Sequence, residues 1–250
     1  MPNELGVRLA PSGAQLTELK WIQNKAIKFA YHVGKSQLTR AEARQAYHSI
    51  YIPSLSYSLG TTSLSPTEAK SIQKRALLRI LPALGINRHM PRAVVFGPKA
   101  HGGLGLRCFH TEQGIQQIEL LIGHVRLQDT IGKLFLATLS MHQLTAGISQ
   151  PILTAPFASL PYLDKGWFTC LRAFLSHVNG SIELPSVRPL SLARVNDCLL
   201  MDFFLRANLP TTTLQRVSTT AVSSSRSHRY LTFAMAPVTP SLTKPFSVPL

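Results

Sequence analysis

The stretch SPTEAKSIQKRALLRILPAL, residues 65–84, decides the fold class of this 250-residue chain. It begins with Ser65, Pro66 and Glu68, the order of an N-cap residue, a first-turn proline and a capping-box glutamate. Its apolar residues recur at the three- and four-residue spacing of one helical face, and they are Ala69, Ile72, Ala76 and Ile80. The spacing predicts a helix from residue 66 to about residue 81, which Pro82 and Gly85 end.

Helical periodicity extends outward from this segment in both directions. Upstream, residues 15–33 have one apolar stripe, and Thr39 with Glu42 predicts a second capping box, opening a helix that ends before Pro53. Downstream, further helices are predicted at 111–127, 131–144, 167–178 and 192–207. The first of these is expected to bury Ile115, Ile118, Leu121, Ile122 and Val125, and the last to be buried nearly all round. Little in the pattern favours strands, so the prediction is a mostly α fold with irregular Gly/Pro-rich loops.

The composition bounds the class of protein. With 45% hydrophobic residues the chain can bury a sizeable core. Three cysteines, Cys108, Cys170 and Cys198, form no CxxC pair and exclude a disulfide scaffold. No apolar run approaches the roughly 20 residues of a bilayer span, and the first residues lack a secretory signal pattern. We therefore expect a soluble, intracellular protein without a membrane partner; the compartment is left open, with the nucleus as one option.

The charge is strongly basic and unevenly distributed. The chain has 26 Lys and Arg against 11 Asp and Glu, a formal net charge of +15. Residues 1–107 carry 15 of the cations and only four acids, and no Asp precedes Asp129. Two-metal phosphoryl transfer needs converging carboxylates, which this half cannot supply, so no catalytic residue and no metal ligand is assigned. An anionic partner is the natural expectation.

The densest basic region lies between residues 70 and 107, where no acid occurs. Its second half, Gly85–Cys108, is irregular and glycine-rich, as functional loops commonly are. Such a surface binds a phosphate backbone by counterion release, without sequence preference. The alternative, a solvated basic face, stays open. The candidate nucleic-acid-binding residues are Lys70, Lys74, Arg75, Arg79, Arg88, Arg92, Lys99 and Arg107.

Four other motifs favour structural interpretations. His101, Cys108 and His110 lack the fourth ligand of a zinc site, so no cofactor is expected. Gly102–Leu106 lacks the spacing of a phosphate-binding loop and is interpreted as a turn. Cys170 and His177 have no orienting carboxylate, which leaves two core residues rather than a nucleophile and its base. Two aromatic groups at helical spacing are interpreted as core rather than base-stacking platforms; these are Trp21, Phe29 and Tyr31, and Tyr47, Tyr51 and Tyr57.

The order of several short motifs resembles the region that follows the polymerase core in reverse transcriptases of non-LTR-like retroelements. The most specific part is Pro98-Lys99 followed by Gly102–Leu106, GGLGL, and Pro53, Tyr57 and Leu59 supply the P-x-x-x-Y-x-L element. The remaining matches are Leu5-Gly6-Val7, Ile72-Gln73, Asn87–Lys99, Gln113-Gly114, Gln117-Ile118 and the stretch Arg194…Asp197…Leu200-Met201-Asp202. The resemblance covers about residues 5–207 and implies a helical, thumb-like bundle that grips a template–primer backbone.

The same resemblance implies that the chain is a fragment without polymerase activity of its own. The family's palm carries an F/Y-x-D-D metal-binding motif, which this sequence lacks. The implied partners are RNA or an RNA–DNA hybrid and, for catalysis, a separately encoded polymerase core. Two alternatives stay open: a helical protein-interaction module whose apolar faces dock on a partner, and a pseudogene product without activity.

The C-terminal segment differs in composition from the rest. From residue 209 onward, 15 of 42 residues are Ser or Thr and none is acidic, which predicts disorder. In the family, the helix that contains Leu200-Met201-Asp202 here is followed by an N-x-C-R-L-x-L…D-I pattern, which this sequence lacks. Codons permitted for Val217–Ala236 can encode that pattern when the same bases are read one nucleotide earlier. A tail translated out of frame is therefore the alternative to a disordered linker. The expected organisation is a basic, thumb-like region 1–107, a second helical region 108–208 and a tail 209–250.

Overall fold

The computed structural model describes residues 15–157, 160–184, 198–224 and 232–233, the backbone alone for residues 198, 222–224 and 232–233. It confirms the mostly α prediction. The chain divides into two compact units: unit 1 comprises Met1–Phe135 and Asp164–Ser181, and unit 2 comprises Leu136–Leu163 and Ile182–Leu250. Residues 5–7, 194 and 197 of the family resemblance lie outside the described residues.

Unit 1 contains seven helices and two short irregular turns among its described residues. The helices are α1 (Leu16–Lys35), α2 (Arg40–Ala46), α3 (Ile52–Leu59), α4 (Pro66–Ala83), α5 (Arg92–Phe96), α6 (Phe109–Leu127) and α8 (Trp167–His177). A π-turn spans Tyr47–Tyr51 and a 3₁₀ turn spans Lys99–His101. Helix α7 (Thr130–Ala146) begins in unit 1 and continues in unit 2.

Helices α1 and α4 form the centre of unit 1. Both capping boxes are present as predicted: the Glu42 backbone N–H donates to Thr39 Oγ1 at 3.3 Å, and the Glu68 N–H donates to Ser65 Oγ at 3.3 Å. The predicted apolar stripe of α4 is buried, together with Ile22, Ala26 and Ala30 of α1. Helix α4 runs to Ala83, because Pro82 in the last turn still leaves room for the Leu84 N–H to donate to Ile80 O.

The predicted end of the second helix before Pro53 is wrong. The chain stays helical from Arg40 to Leu59, because a π-turn inserts one wide turn ahead of the proline. The Ile52 N–H donates to Tyr47 O, five residues back. A proline in an ordinary helix collides with the carbonyl four residues before it, and the widened turn removes that collision.

Helix α6 exists as predicted, but its expected buried face is wrong. Leu121 is buried, whereas Ile115 is 41% exposed and Ile122 is 45% exposed. Gln113 and Gln117 are buried instead, because their Nε2 atoms donate to carbonyls of the non-helical link between α3 and α4. The buried face of α6 therefore follows these polar contacts rather than the isoleucine pattern.

Unit 2 is built around the end of α7 and a polar side chain. Gln143 Nε2 donates to Ile148 O at 2.8 Å and Gln150 O at 3.0 Å, and its Oε1 accepts from the Ile152 N–H at 2.8 Å. Two short strands, β1 (Cys198–Leu199) and β2 (Thr232–Phe233), pair antiparallel. Two further helices are α9 (Leu200–Arg206) and α10 (Thr211–Ser224).

Two predictions for this unit need correction. The helix predicted at 192–207 is seen only over Leu200–Arg206, and it is not buried all round, since Phe203 is exposed; residues 192–197 lie outside the described residues. Disorder from residue 209 is wrong over Thr211–Ser224, where Leu214 is buried and Ser218 Oγ donates to Thr145 O at 2.6 Å. The buried leucine and this tertiary hydrogen bond stabilise a helix that composition alone disfavours.

Candidate nucleic-acid interface

A buried hydrogen-bond network fixes the segment that carries Arg107. Gln73 Nε2 of α4 donates to Arg107 O at 2.7 Å and to the Tyr47 hydroxyl at 3.1 Å. Tyr47 also donates to Arg107 O at 2.8 Å, and Gln73 Oε1 accepts from the Phe109 N–H at 3.2 Å. Burial raises the pKa of Tyr47 far above its ordinary value, so its hydroxyl stays a donor. Helix α4 and the π-turn therefore hold the backbone on both sides of Cys108.

Four cationic or titratable side chains converge beside this network. Arg44 belongs to α2, His48 to the π-turn and Lys99 to the 3₁₀ turn, and Arg107 lies two residues before α6. We call these four residues the cation cluster. Burial lowers the pKa of His48, and the positive charges of Arg44, Arg107 and Lys99 lower it further. His48 is accordingly a neutral imidazole at pH 7 in the free protein.

The charges of the cluster are only partly compensated. Arg107 Nη1 lies 3.5 Å from Glu112 Oε2, and the Glu112 side chain is nearly buried. Burial raises the pKa of Glu112, while Arg107 lowers it. Neither Arg44 nor Lys99 forms an ion pair with a carboxylate of the described residues. The cluster therefore keeps an excess of positive charge that can attract an anion.

The glycine-rich loop is a scaffold for these cations. A Cβ at Gly103 would lie 2.2 Å from Gly97 O, so only glycine permits this backbone contact. Gly105 has φ +64°, and its N–H donates to Gly97 O at 2.9 Å. The guanidinium of Arg44 donates to Leu104 O, and the aliphatic stem of Lys99 packs against Gly105. The geometry agrees with the interpretation of Gly102–Leu106 as a turn.

A pocket of about 230 Å³ lies along α2 next to the cluster. Arg40 and Arg44 occupy one side, and Arg40 also packs over Gly85, which follows the C-terminus of α4. Its apolar part is formed by Leu84, Ile86 and Leu106. Arg40, Arg44 and His48 recur every four residues, a helical spacing that sequence inspection could have found but did not.

The structure describes the eight predicted residues in several local environments. Lys99 and Arg107 join the cation cluster. Arg79 lies 5.4 Å from the ring centroid of Tyr31, over which Lys35 also lies at 4.6 Å, a cation–π group between α1 and α4.

The other five are placed elsewhere. Lys70 lies close enough to His110 to lower the pKa of that imidazole, after burial and His177. Lys74 and Arg75 are exposed on α4 without a described carboxylate partner. The Arg92 guanidinium, at the start of α5, donates to Arg88 O at 3.5 Å in the loop before that helix, so these two arginines are neighbours.

The structure also describes the surroundings of the possible metal ligands, of Cys170 and of the tyrosines 47, 51 and 57. No group of three His, Cys, Asp or Glu side chains among the described residues could hold a metal ion. Cys170 donates to Leu64 O at 3.3 Å and accepts from Gln113, and burial raises the pKa of its thiol. Tyr47 and Tyr51 are fully buried, whereas Tyr57 is exposed.

Comparison with known proteins identifies no relative: no protein family, no curated protein and no solved structure matches the chain. Among the described helices, none is both long and apolar enough for a membrane span.

Proposed function

We propose that this chain binds the backbone of RNA or an RNA–DNA hybrid without sequence preference. We propose further that it represents the thumb-like region of a non-LTR-like retroelement reverse transcriptase. The observation that carries the binding proposal is the cation cluster, in which Arg44, Lys99 and Arg107 converge from three segments and Glu112 is the one carboxylate of the described residues that pairs with them. A phosphate backbone neutralises such a cluster and releases condensed counterions.

The chemistry of the site supports binding rather than catalysis. The sequence contains no F/Y-x-D-D motif, and among the described residues the carboxylate that pairs with the cluster is the nearly buried Glu112, beside Arg107. A metal-dependent nucleotidyl transfer needs several converging carboxylates. On this proposal the chain grips the duplex, and polymerase activity requires a catalytic core that these 250 residues do not contain.

The test is equilibrium binding of the full chain to a short fluorescent RNA–DNA hybrid, measured by anisotropy across a salt series. The main variant is Arg44→Gln/Lys99→Gln/Arg107→Gln. Each lost phosphate contact lowers the slope of log affinity against log salt by about 0.7–0.9, so the triple variant should lose about 2–3 from that slope. Circular dichroism on the same samples confirms that the helices are intact.

The matched control removes the same total charge at three exposed cations that do not belong to the cluster, Lys133→Gln/Lys165→Gln/Arg216→Gln. It should change the slope by less than about 1. A further variant neutralises the four cations of α4, Lys70, Lys74, Arg75 and Arg79, and measures their share of the binding. Equal losses in the cluster variant and in the control would contradict a localised interface, and no binding by the native chain would reject the function.

A further inference from the structure

Helix α6 carries a heptad seam that the described residues leave partly uncovered. Ile115, Ile118, Ile122 and Val125 are spaced three, four and three residues apart, the a and d positions of a coiled coil. Ile115 and Ile122 are exposed, and Ile118 and Val125 are half-buried. Such a row of β-branched residues is typical of a buried contact between two helices.

The opposite sides of α6 are already occupied. Gln113 and Gln117 face the link between α3 and α4, as their bonds to Thr62 O show. Gly114 faces α8, where a Cβ would meet the Phe174 ring at 2.2 Å. The seam is therefore the free face of a helix whose other faces are fixed by unit 1.

Two charges on the seam identify its occupant. Glu119 and Arg126 both lie at the e position of the heptad, are exposed, and have no ion-pair partner among the described residues. In an antiparallel helix pair, e positions face e positions of the partner. A second copy of α6 would thus place each Glu119 near the partner copy's arginine, and each Arg126 near the partner copy's glutamate.

The apolar residues have the same self-complementarity. Their three-four-three spacing reads identically in both directions, so an antiparallel copy brings Ile115 opposite Val125 and Ile118 opposite Ile122 at every layer. A two-fold symmetric contact requires one surface that is complementary to itself, as this seam is. Nucleic acid is a poor occupant, because the seam is apolar and its one cation is balanced by Glu119.

We propose that the chain forms a homodimer through antiparallel pairing of the α6 seam. The contact has four layers and lies at the small end of specific interfaces, so it gives a weak dimer. This proposal is independent of nucleic-acid binding, since the cation cluster and the seam share no residue.

The experiment is sedimentation equilibrium of the full chain without nucleic acid, from about 1 µM to about 1 mM, the range of weak association. The native chain should shift from the mass of one chain toward twice that mass. Ile122→Ser should raise the dissociation constant about 100-fold, because two symmetry-related isoleucines lose their contact. Leu78→Ser, at an aliphatic residue of α4 that is 41% exposed, is the matched control and should change it less than about 3-fold.

Charge reversal tests the antiparallel orientation. Glu119→Arg alone and Arg126→Glu alone should each raise the dissociation constant about tenfold, because each places like charges together twice. The double variant Glu119→Arg/Arg126→Glu restores opposite charges and should return it to within about 3-fold of the native value. A chain that stays monomeric at 1 mM, an Ile122→Ser effect no larger than that of Leu78→Ser, or a double variant as weak as the singles would each overturn the proposal.

Discussion

The buried network around Arg107 O gives the sharpest prediction for stability. Replacing Gln73 by Leu removes both donors and acceptors of its amide while keeping a side chain of similar size. The Phe109 N–H then stays buried without a partner, whereas Arg107 O keeps its bond from Tyr47. An unsatisfied buried donor costs about 1–3 kcal/mol, and with the lost amide bonds we expect Gln73→Leu to lower the free energy of unfolding by about 2–4 kcal/mol.

Tyr47→Phe is the internal comparison. It removes the hydroxyl but leaves Arg107 O bonded to Gln73 Nε2 at 2.7 Å, so no buried group loses its last partner. We expect a loss of about 0.5–1.5 kcal/mol. In the double variant Arg107 O loses both donors, so the combined loss should exceed the sum of the two single losses.

The assay is urea unfolding followed by tryptophan fluorescence. The only tryptophans of the sequence, Trp21 and Trp167, lie in unit 1, so the signal reports the unit that contains the network. Gln45→Leu, the same substitution at an exposed position of α2, is the control and should change stability by less than about 0.5 kcal/mol. A loss for Tyr47→Phe as large as that for Gln73→Leu, or strict additivity in the double variant, would refute the assignment.

Two further predictions concern other sites. Gly114→Ala places a Cβ 2.2 Å from the Phe174 ring and should lower the free energy of unfolding of unit 1 by about 1–3 kcal/mol in the same assay. Gly123→Ala on the same helix, where a Cβ meets no atom within 4 Å, should raise it. A Gly114→Ala variant more stable than the Gly123→Ala variant would contradict the packing of α6 against Phe174. The pKa of His48 lies below its ordinary 6.5, so the imidazole gains its charge only as pH falls below that value, and binding of the hybrid should tighten there; His48→Gln should remove that pH-dependent gain without affecting binding at pH 8, and an unchanged pH profile would contradict the role of His48.

Sequence reasoning predicted those parts of the fold that depend on local chemistry. Ser65 with Glu68 and Thr39 with Glu42 satisfy backbone N–H groups within one helical turn, so the pattern alone specifies where α4 and α2 begin. The face of α6 could not be predicted in this way. Whether Gln113 or Ile115 is buried depends on the Thr62 carbonyl, which is about fifty residues distant in sequence and invisible to periodicity.

In the candidate site, too, local sequence predicted some of the residues and tertiary contacts determined the others. Lys99 and Arg107 stood out because they lie in a dense run of cations. Arg44 and His48 did not, because they precede that run by more than twenty residues and join it only through the folding of the glycine-rich loop onto α2. Charge density along the chain identifies candidate residues, but the tertiary fold selects which of them act together.

The π-turn at Tyr47–Tyr51 has a consequence for comparing this chain with others. A π-turn contains about one residue more than an ordinary turn of α-helix, so it corresponds to a one-residue insertion in a helical segment. Deleting one residue there would close the segment into an ordinary α-helix and leave the residues on either side facing nearly the same way, because the wide turn already absorbs the extra residue. An aligned homologue with a one-residue gap in this segment should therefore keep both its aromatic core and its basic face, and it should lack the proline that the wide turn accommodates.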